Sequence, residues 1–470
     1  MSAVESGPAL SPLRRPYVPI TAAILALVTI VAFESMAVST AMPAVARDLH
    51  AVRAYGFAFS VMLTGQLIGI VLAGVWTDRS GPLPGTFVGQ LLIGVGAATC
   101  GFAHRLDVFL VGRFLTGLGG GLLVVMMYVI AGRVYPEDTR PKLFTYVSAA
   151  WILPSLVGAP VAAWATENHS WRWVFWAVLL PLVLTVITLA RAHRTVDTSS
   201  LTQAVSGRDH SDHVQAAWAG LGIAVAAGVL QLGVAFGGEG HRAGHGAGRG
   251  YVPALLILVG VVGVLALLPV LLPRGTLRMA RGLPSVILSR ALFTAAFFGG
   301  ITFVPLFLHS QRGASLQLAG LALAVGSLGW ALGSWYQGHD GLHLPRYRLV
   351  EIGGILLAVA LTLVSTIAWL NIKAVLVVPA LVLAGLAMGL GVTTTTVLSL
   401  ELAPFEEQAH ASSQLQLADV IGSVLGIAAA TGVFAAWHRP GEDNPVFGVI
   451  FLGLAACAAV VIPAGQRIKT

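Results

Sequence analysis

Long apolar runs recur along almost the whole of this 470-residue chain, and they decide what it can fold into. Each run is about as long as the roughly 20 residues that an α-helix needs to cross a bilayer. Hydrophobic residues make up 56% of the chain and charged residues only 10%. A soluble globular protein carries about 25% charged residues. We therefore predict an all-α polytopic membrane protein.

Fourteen apolar runs separated by short loops can be counted along the sequence. They cover residues 17–44, 54–77, 83–104, 106–131, 143–166, 171–191, 214–236, 251–272, 286–309, 315–337, 346–370, 374–400, 408–436 and 445–464. A count of twelve results if the two middle runs do not cross the membrane. Both middle runs exceed 20 residues with hardly a charge, which favours fourteen.

Polar stretches divide the runs into groups of six, two and six. The predicted order is a cytoplasmic N-terminus (1–16), an N-terminal six-helix bundle (17–191), a cytoplasmic linker (192–213), two additional transmembrane helices (214–272), a second cytoplasmic linker (273–285), a C-terminal six-helix bundle (286–464) and a cytoplasmic C-terminus (465–470). Basic loops stay in the cytoplasm, and most of the 27 basic residues fall on the side of the termini. We count Arg290 among these cytoplasmic residues, at the end of the basic segment 273–290.

The net charge of +7 is explained by these orienting loops, so we expect the lipid bilayer and no nucleic acid as a partner. The two cysteines, Cys100 and Cys457, lie in apolar runs, and neither their spacing nor the histidines suggest a disulfide framework or a metal site. No Gly-rich phosphate loop ending in Lys-Ser or Lys-Thr and no catalytic constellation stands out. We therefore expect neither an enzyme, a cofactor nor ATP-driven transport.

One carboxylate, that of Glu34, lies inside the first apolar run. A carboxylate within a span costs about 2.5–3.5 kcal/mol on insertion scales, so it usually faces a water-filled path or a partner. Arg113 lies inside the fourth run, and both residues are ~10–14 Å below the predicted outer surface at 1.5 Å per residue. Glu34 and Arg113 are therefore predicted to share one depth.

A second intramembrane carboxylate, Asp419, lies in the thirteenth run. Ser412, Gln416, Asp419 and Ser423 are spaced so that they share one helical face. Asp419 lies ~17 Å into the run, near the predicted midplane. A polar contact between helices is the alternative, but a carboxylate at that depth favours a functional role.

Small residues and several polar or aromatic side chains complete the candidate residues. Glycines and a kinking proline suited to close helix packing are Gly117, Gly121, Gly158, Pro160, Gly422 and Gly426. Side chains that either line a substrate cavity or simply pack are Gln66, Tyr128, Trp151, Phe297 and Gln416. A faint repeat pairs Gly117 and Gly121 with Gly385 and Gly389, and residues 74–76 with 333–335. Two related six-helix halves are a recurrent transporter plan.

Residues 74–81, Gly-Val-Trp-Thr-Asp-Arg-Ser-Gly, resemble the signature loop G-x-x-x-D-R-x-G of the major facilitator superfamily. Residues 113–121 are similar to its fourth-span motif, R-x-x-x-G-x-G-x-G, and Trp-Arg-Trp-Val-Phe at 171–175 matches its fourteen-helix drug:proton antiporters. Those antiporters carry an acidic residue in the first span, where this chain has Glu34. The resemblance implies a major facilitator fold of two six-helix bundles with two extra central helices.

The resemblance also implies roles for these residues. Gly74, Asp78, Arg79 and Gly81 would form a conformational-switch loop, and Glu34, Arg113 and Asp419 would couple transport to protons. We expect proton-driven export of lipophilic or cationic drugs from the bacterial cytoplasmic membrane, by a chain that works as a monomer. The alternatives are proton-coupled transport of a specific metabolite or lipid, and a non-transporting membrane sensor or scaffold.

Overall fold

The protein is helical through most of the chain that the structure describes. This computed structural model describes residue 12 and residues 17–136, 139–195, 210–240, 251–338, 344–404 and 408–469. Its α-helices are α1 (Val18–Asp48), α2 (Tyr55–Ser80), α3 (Pro82–Gly101), α4 (Leu106–Val134), α5 (Arg140–Asn168), α6 (Arg172–Thr195), α7 (His210–Gly240), α8 (Tyr251–Leu271), α9 (Leu283–Arg312), α10 (Leu316–Gln337), α11 (Arg346–Trp369), α12 (Val377–Leu402), α13 (Gln408–Trp437), α14 (Asn444–Ala459) and α15 (Val461–Gln466). Short 3-10 helices lie at Val52–Ala54, Thr276–Arg278 and Ala374–Leu376.

Twelve helical segments of the described chain are long and apolar enough to cross a membrane. They identify an integral membrane protein. The helices α5 and α7 are not among the twelve, and the apolar described part of α7, Trp218–Val234, is shorter than the others. The predicted count of fourteen spans therefore stays a prediction.

The predicted loop at residues 74–81 is mostly helix. The helix α2 continues through Gly74, Asp78 and Arg79 to Ser80, and only Gly81 leaves the helical conformation, with φ of 72°. Glycine adopts positive φ without a steric penalty, and Pro82 then opens α3 where its missing N–H needs no partner. The side chains of Asp78 and Arg79 lie outside the described residues, and the switch role of this segment stays a prediction.

Other predicted boundaries move by a few residues. The first helix passes through Pro43 and ends at Asp48 rather than at residue 44. The helix α9 begins at Leu283, inside the predicted linker 273–285, and the last predicted span is broken at Val460. Local turn geometry sets these ends, and a count of apolar residues does not detect it.

Close glycine contacts join helices in the same way in each half of the chain. A Cβ on Gly117 or Gly121 of α4 would lie 1.9 or 2.1 Å from a carbonyl oxygen of α2. A Cβ on Gly385 or Gly389 of α12 would lie 1.9 or 2.2 Å from a carbonyl oxygen of α10. The repeat in these glycines is therefore a repeat in packing. The sequence paired residues 74–76 with residues 333–335. In the structure, however, the glycine of α2 that corresponds to Gly333 of α10 is Gly69 and not Gly74.

The helices α7 and α8 pack as a pair, and α7 lies against both halves. It contacts α2 of the first half (α1–α6) and α13 of the second half (α9–α15). The hydroxyl of Thr64 on α2 donates a hydrogen bond of 3.1 Å to Oε1 of Gln231 on α7, and both side chains are buried. A buried polar contact of this kind fixes α7 beside α2.

The two halves meet at the end of the molecule where α1 ends and α2 begins, here called the α1–α2 end. The rings of Tyr55 on α2 and Phe303 on α9 are 5.5 Å apart. A Cβ on Gly56 would lie 1.8 Å from Oγ1 of Thr431 on α13. On the other flank, the backbone N–H of Gln317 donates to Oε1 of Glu167 at 3.3 Å. The α1–α2 end is therefore closed.

We expect Gly117→Ala to destabilise the protein, because its methyl group would collide with the carbonyl oxygen of Met62, 1.9 Å away. Overpacking of this kind costs about 1–3 kcal/mol. Gly120→Ala, three residues further along α4, is the matched control, since a Cβ there has no atom within 4 Å. Thermal unfolding of the purified variants in detergent measures the difference. Equal stability of the two variants would contradict the close packing of α2 and α4.

Candidate functional site

The structure brings Glu34 of α1 and Arg113 of α4 into direct contact. A terminal nitrogen of the guanidinium donates a hydrogen bond to Oε1 of Glu34, and the two groups form a salt bridge. The side chains are only 2% (Arg113) and 6% (Glu34) exposed. A buried charge is stable only when it is paired, so each of these residues depends on the other.

The remaining contacts of the Arg113 guanidinium go to α2. Its Nε donates to the carbonyl oxygen of Ala58 at 3.4 Å, and its second terminal nitrogen lies 2.8 Å from Sδ of Met62. Arg113 therefore joins α1, α2 and α4 through three acceptors. A proton arriving at Glu34 would remove the charge of this acceptor and leave the guanidinium with hydrogen bonds to neutral groups only.

A second buried ion pair joins Arg290 of α9 to Asp419 of α13. The guanidinium donates two hydrogen bonds to the carboxylate. One runs from Nε to Oδ1 at 2.5 Å, and the other from one terminal nitrogen to Oδ2 at 2.7 Å. The other terminal nitrogen donates to the carbonyl oxygen of Val392 at 2.5 Å and to Oγ1 of Thr396 at 3.0 Å, both on α12. Two parallel hydrogen bonds to a carboxylate are the strongest arrangement an arginine offers.

Arg290 was not found from the sequence, because we assigned it to the cytoplasmic basic segment 273–290. In the structure α9 begins at Leu283, so residues 283–290 are helix rather than linker, and Arg290 lies two turns inside the helix and is 8% exposed. Pro284 is the residue from which this helix start could have been predicted, because proline is common in the first turn of a helix. Reading the helix from Pro284 would have placed Arg290 about two turns inside the span, where a buried charge needs a partner such as Asp419.

The two ion pairs differ in position and in exposure. Arg113 lies seven residues after the start of α4, ~10 Å from the α1–α2 end, whereas Arg290 lies seven residues after the start of α9, ~10 Å from the opposite end. Asp419 is 22% exposed and Glu34 only 6%. In the described conformation, water reaches the Asp419 pair more readily than the Glu34 pair.

Two of the predicted cavity residues lie beside Asp419 and come from different halves. Tyr128 of α4 is 49% exposed, and its side chain is hydrogen-bonded to Gln416 of α13. Tyr128 is also close enough to interact electrostatically with Arg290 and Asp419. The four residues Tyr128, Gln416, Asp419 and Arg290 are here called the crevice cluster. It combines an aromatic face, an amide and an ion pair.

Other predicted site residues lie elsewhere. Phe297 is buried in the second half, with its ring 5.5 Å from that of Trp330. Gln66 is partly buried, and its carbonyl oxygen faces Gly121. The side chain of Trp151 lies outside the described residues. The structure thus places the ring of Phe297 within helix packing, whereas the contact of Gln66 with Gly121 is made by its backbone.

The predicted packing residues lie in close helix contacts. Cβ atoms on Gly422 and Gly426 of α13 would lie 2.2 and 2.0 Å from carbonyl oxygens of α9. Gly158 of α5 faces the ring of Phe33 on α1, and Pro160 lies within α5. The close approach of α9 and α13 is what places Arg290 against Asp419.

Comparison with a family model gives a match to the Major Facilitator Superfamily over residues 24–427. An uncharacterised MFS-type transporter of Mycobacterium tuberculosis (strain H37Rv) is 26% identical over 97% of this chain and 64% of its own length. This chain therefore spans less than two thirds of that relative. Multidrug transporter protein MdtP of Bacillus subtilis is 24% identical over 84% of this chain and 71% of its own length.

Solved transporter structures share the fold at low sequence identity. A peptide transporter POT in complex with sulfate has a TM-score of 0.71 and 14% identity, with 98% of each chain covered. A POT family transporter in complex with 5-aminolevulinic acid has a TM-score of 0.73 and 13% identity, with 97% of each chain covered. The family match covers most of this chain, and these structures share its fold.

We expect Arg113→Met to destabilise the protein by about 3–5 kcal/mol, because it leaves the Glu34 carboxylate buried without its partner. Adding Glu34→Gln should restore most of this loss, since the double variant contains no buried charge at this position. Thermal unfolding in detergent measures both changes.

The exposed pair Arg105–Asp107, with side chains 77% and 60% exposed, is the control for this comparison. Removing Arg105 should change stability by at most about 1 kcal/mol. A double variant of the Glu34 pair that is as unstable as Arg113→Met alone would show that the two charges do not depend on each other.

Proposed function

The chain belongs to the major facilitator superfamily, and we propose that it exports lipophilic or cationic small molecules in exchange for protons. The observation that carries this proposal is the buried ion pair of Glu34 and Arg113. A carboxylate with a fixed cation inside a membrane protein is a group that can bind and release one proton per transport cycle.

The proposed coupling depends on two opposing influences on Glu34. A neighbouring guanidinium stabilises the ionised carboxylate, and removal from water stabilises the protonated form. If the movement of the two halves exposes Glu34 to water in one state and encloses it beside Arg113 in the other, Glu34 takes up a proton in one state and releases it in the other. The contacts of Arg113 with Ala58 and Met62 support this, because they hold the guanidinium on α2 when Glu34 is neutral.

The crevice cluster is the proposed substrate site. An aromatic ring attracts a cation through its π-face. The Asp419 carboxylate, which Arg290 neutralises in the described conformation, would pair with the cation when that salt bridge opens. The exposure of Tyr128 makes the cluster accessible, whereas the Glu34 pair is enclosed. Among the relatives, Multidrug efflux pump SdrM of Staphylococcus aureus is 25% identical over 35% of this chain and 38% of its own length, and its name supports a drug-like substrate.

The proposed orientation puts both termini in the cytoplasm of a bacterial cell. The closed α1–α2 end then faces outward, and the crevice cluster opens toward the cytoplasm. This is the state in which an exporter loads its substrate. We also propose that α5 and α7 cross the membrane, which gives fourteen spans, and that a single chain is the transporting unit.

Transport of a specific carboxylate-bearing metabolite is a second candidate. The named structures are of POT family transporters, one of them with bound 5-aminolevulinic acid, and Arg290 has a guanidinium that suits carboxylates. Counterflow in proteoliposomes loaded with either cationic drugs or amino-acid-like compounds separates the two candidates. A non-transporting sensor or scaffold would give no counterflow with either panel. The linker 192–213, which would be its binding segment, lies largely outside the described residues.

We expect Glu34→Gln to abolish proton-driven transport, because a neutral amide cannot exchange a proton. The variant also removes the charge that pairs with Arg113, so transport is compared per amount of folded protein in the membrane. Glu34→Asp should retain part of the activity, and Arg113→Ala should weaken the coupling. Substrate transport driven by an imposed pH gradient in proteoliposomes measures these effects. Wild-type rate and pH dependence in Glu34→Gln would exclude this carboxylate and make Asp419 the coupling residue to test.

We expect loop 237–250 to be external and loop 192–213 to be cytoplasmic. Single cysteines in each loop, introduced after Cys100 and Cys457 have been replaced, should react with an impermeant maleimide from opposite sides of the membrane. Labelling of both loops from the same side would contradict the fourteen-span arrangement.

A further inference from the structure

The start of α2 places a tyrosine hydroxyl at the junction of the two halves without a hydrogen-bond partner. Tyr55, the first residue of α2, is 1% exposed. Its hydroxyl oxygen is buried and has no hydrogen-bond partner among the described residues. A buried hydroxyl without a partner has lost its hydrogen bonds to water and gained none within the protein. Such groups are uncommon in folded proteins, so this one needs a physical explanation.

The second half covers this part of α2. The ring of Tyr55 lies 5.5 Å from that of Phe59 on its own helix and 5.5 Å from that of Phe303 on α9. At the next residue, Gly56, a Cβ would lie 1.8 Å from Oγ1 of Thr431 on α13 and 3.1 Å from the ring of Phe303. Separation of the halves at the α1–α2 end removes these neighbours of α9 and α13. The burial of Tyr55 therefore depends on closure.

Packing in the closed junction gives no reason for the hydroxyl. The ring of Tyr55 continues a row of apolar rings, since Phe303 lies 5.4 Å from Phe434 of α13. A phenylalanine in place of Tyr55 would make the same ring contacts without burying a polar atom. The nearby hydroxyl of Thr431 donates to the carbonyl oxygen of Ile427 in its own helix, at 2.6 Å, and gives Tyr55 no hydrogen bond.

We propose that the hydroxyl of Tyr55 opposes closure of the α1–α2 end and thereby favours its opening. In the closed state the hydroxyl is unpaired, whereas in the open state water reaches it and restores its hydrogen bonds. This gain exists only in the open state, so it shifts the equilibrium between the two states toward opening. The ring contacts and the close approach at Gly56 act in the opposite direction.

This inference rests on the proposed function in one respect, namely that the α1–α2 end opens during transport. It requires neither a particular substrate nor proton exchange at Glu34. A transporter passes through both states in each cycle, and an end closed by apolar packing alone would spend little time open. The unpaired hydroxyl brings the two states closer in free energy.

A cysteine at the junction measures how often the α1–α2 end opens. The reporter is Thr431→Cys in the full-length protein without Cys100 and Cys457, reconstituted in lipid nanodiscs. The side chain of Thr431 is 2% exposed and its hydroxyl bonds only to its own helix, so the replacement breaks no hydrogen bond between the halves. A water-soluble thiol reagent reaches this position when the end opens. The rate of modification therefore reports the fraction of open molecules.

We expect Tyr55→Phe to slow this modification about tenfold, because the open state loses its advantage. A tenfold change corresponds to about 1.4 kcal/mol, which lies within the usual cost of an unsatisfied buried hydroxyl. Spin labels on His50→Cys and Ser310→Cys, both at exposed positions, give a second measurement of the same equilibrium. The ratio of open to closed distances should fall by the same factor in Tyr55→Phe.

Tyr135→Phe is the matched control, because it removes the same atom from a buried tyrosine whose hydroxyl has a partner. The hydroxyl of Tyr135 lies 2.7 Å from Oγ1 of Thr21, and both residues belong to the first half. This variant should lower the temperature of unfolding and leave the modification rate unchanged. Tyr55→Phe should not lower the temperature of unfolding, since it breaks no hydrogen bond.

The possible failures can be told apart. A modification rate in Tyr55→Phe that equals or exceeds the parent rate would overturn the inference and leave the proposed export standing. Slower modification in Tyr55→Phe, combined with no drug counterflow by the parent protein, would support the inference and contradict the export. Complete protection of the reporter thiol, together with a single spin-label distance in the parent protein, would overturn both, because the α1–α2 end would not open.

Discussion

The structure depends on one constraint: a charge buried within a membrane protein needs a partner at the same depth. Arg113 and Arg290 each meet this requirement through a carboxylate on a neighbouring helix. Because a salt bridge tolerates only small displacements, it also fixes the register of the helices that carry it. The glycine contacts of α4 with α2 and of α13 with α9 make this possible, since they let the helix backbones approach to the distance that the side chains need.

The two buried ion pairs differ in their position and in their exposure. The enclosed pair lies in the first half near the closed end, and the more exposed pair lies in the second half near the opposite end. A protein built from two similar halves thus carries different chemistry in each. The shared glycine contacts preserve the fold, whereas the charged side chains distinguish one half from the other.

The fold class and the depth of Glu34 and Arg113 could be predicted from the sequence, because the length of an apolar run and the rise of a helix depend only on neighbouring residues. The burial of Arg290 in an ion pair was not predicted, because the start of α9 depends on turn geometry at Gly282 and Pro284 rather than on hydropathy. Sequence reasoning also assigned no role to Phe303. Its contact with Tyr55 joins residues far apart in the chain, and periodicity along one helix carries no information about such a contact.

The position of α7 has a consequence for how a lipophilic molecule meets this protein. A cleft between two halves in a bilayer has two flanks, and α7 covers the flank between α2 and α13, while α5 and α10 form the other. If the protein moves lipophilic molecules as proposed, a molecule dissolved in lipid is kept from the flank that α7 covers. For such a compound the bilayer is the reservoir, so the concentration that governs occupancy is set by partitioning between water and lipid. Two compounds with equal affinity for the crevice cluster would then be moved at different rates according to their lipid solubility.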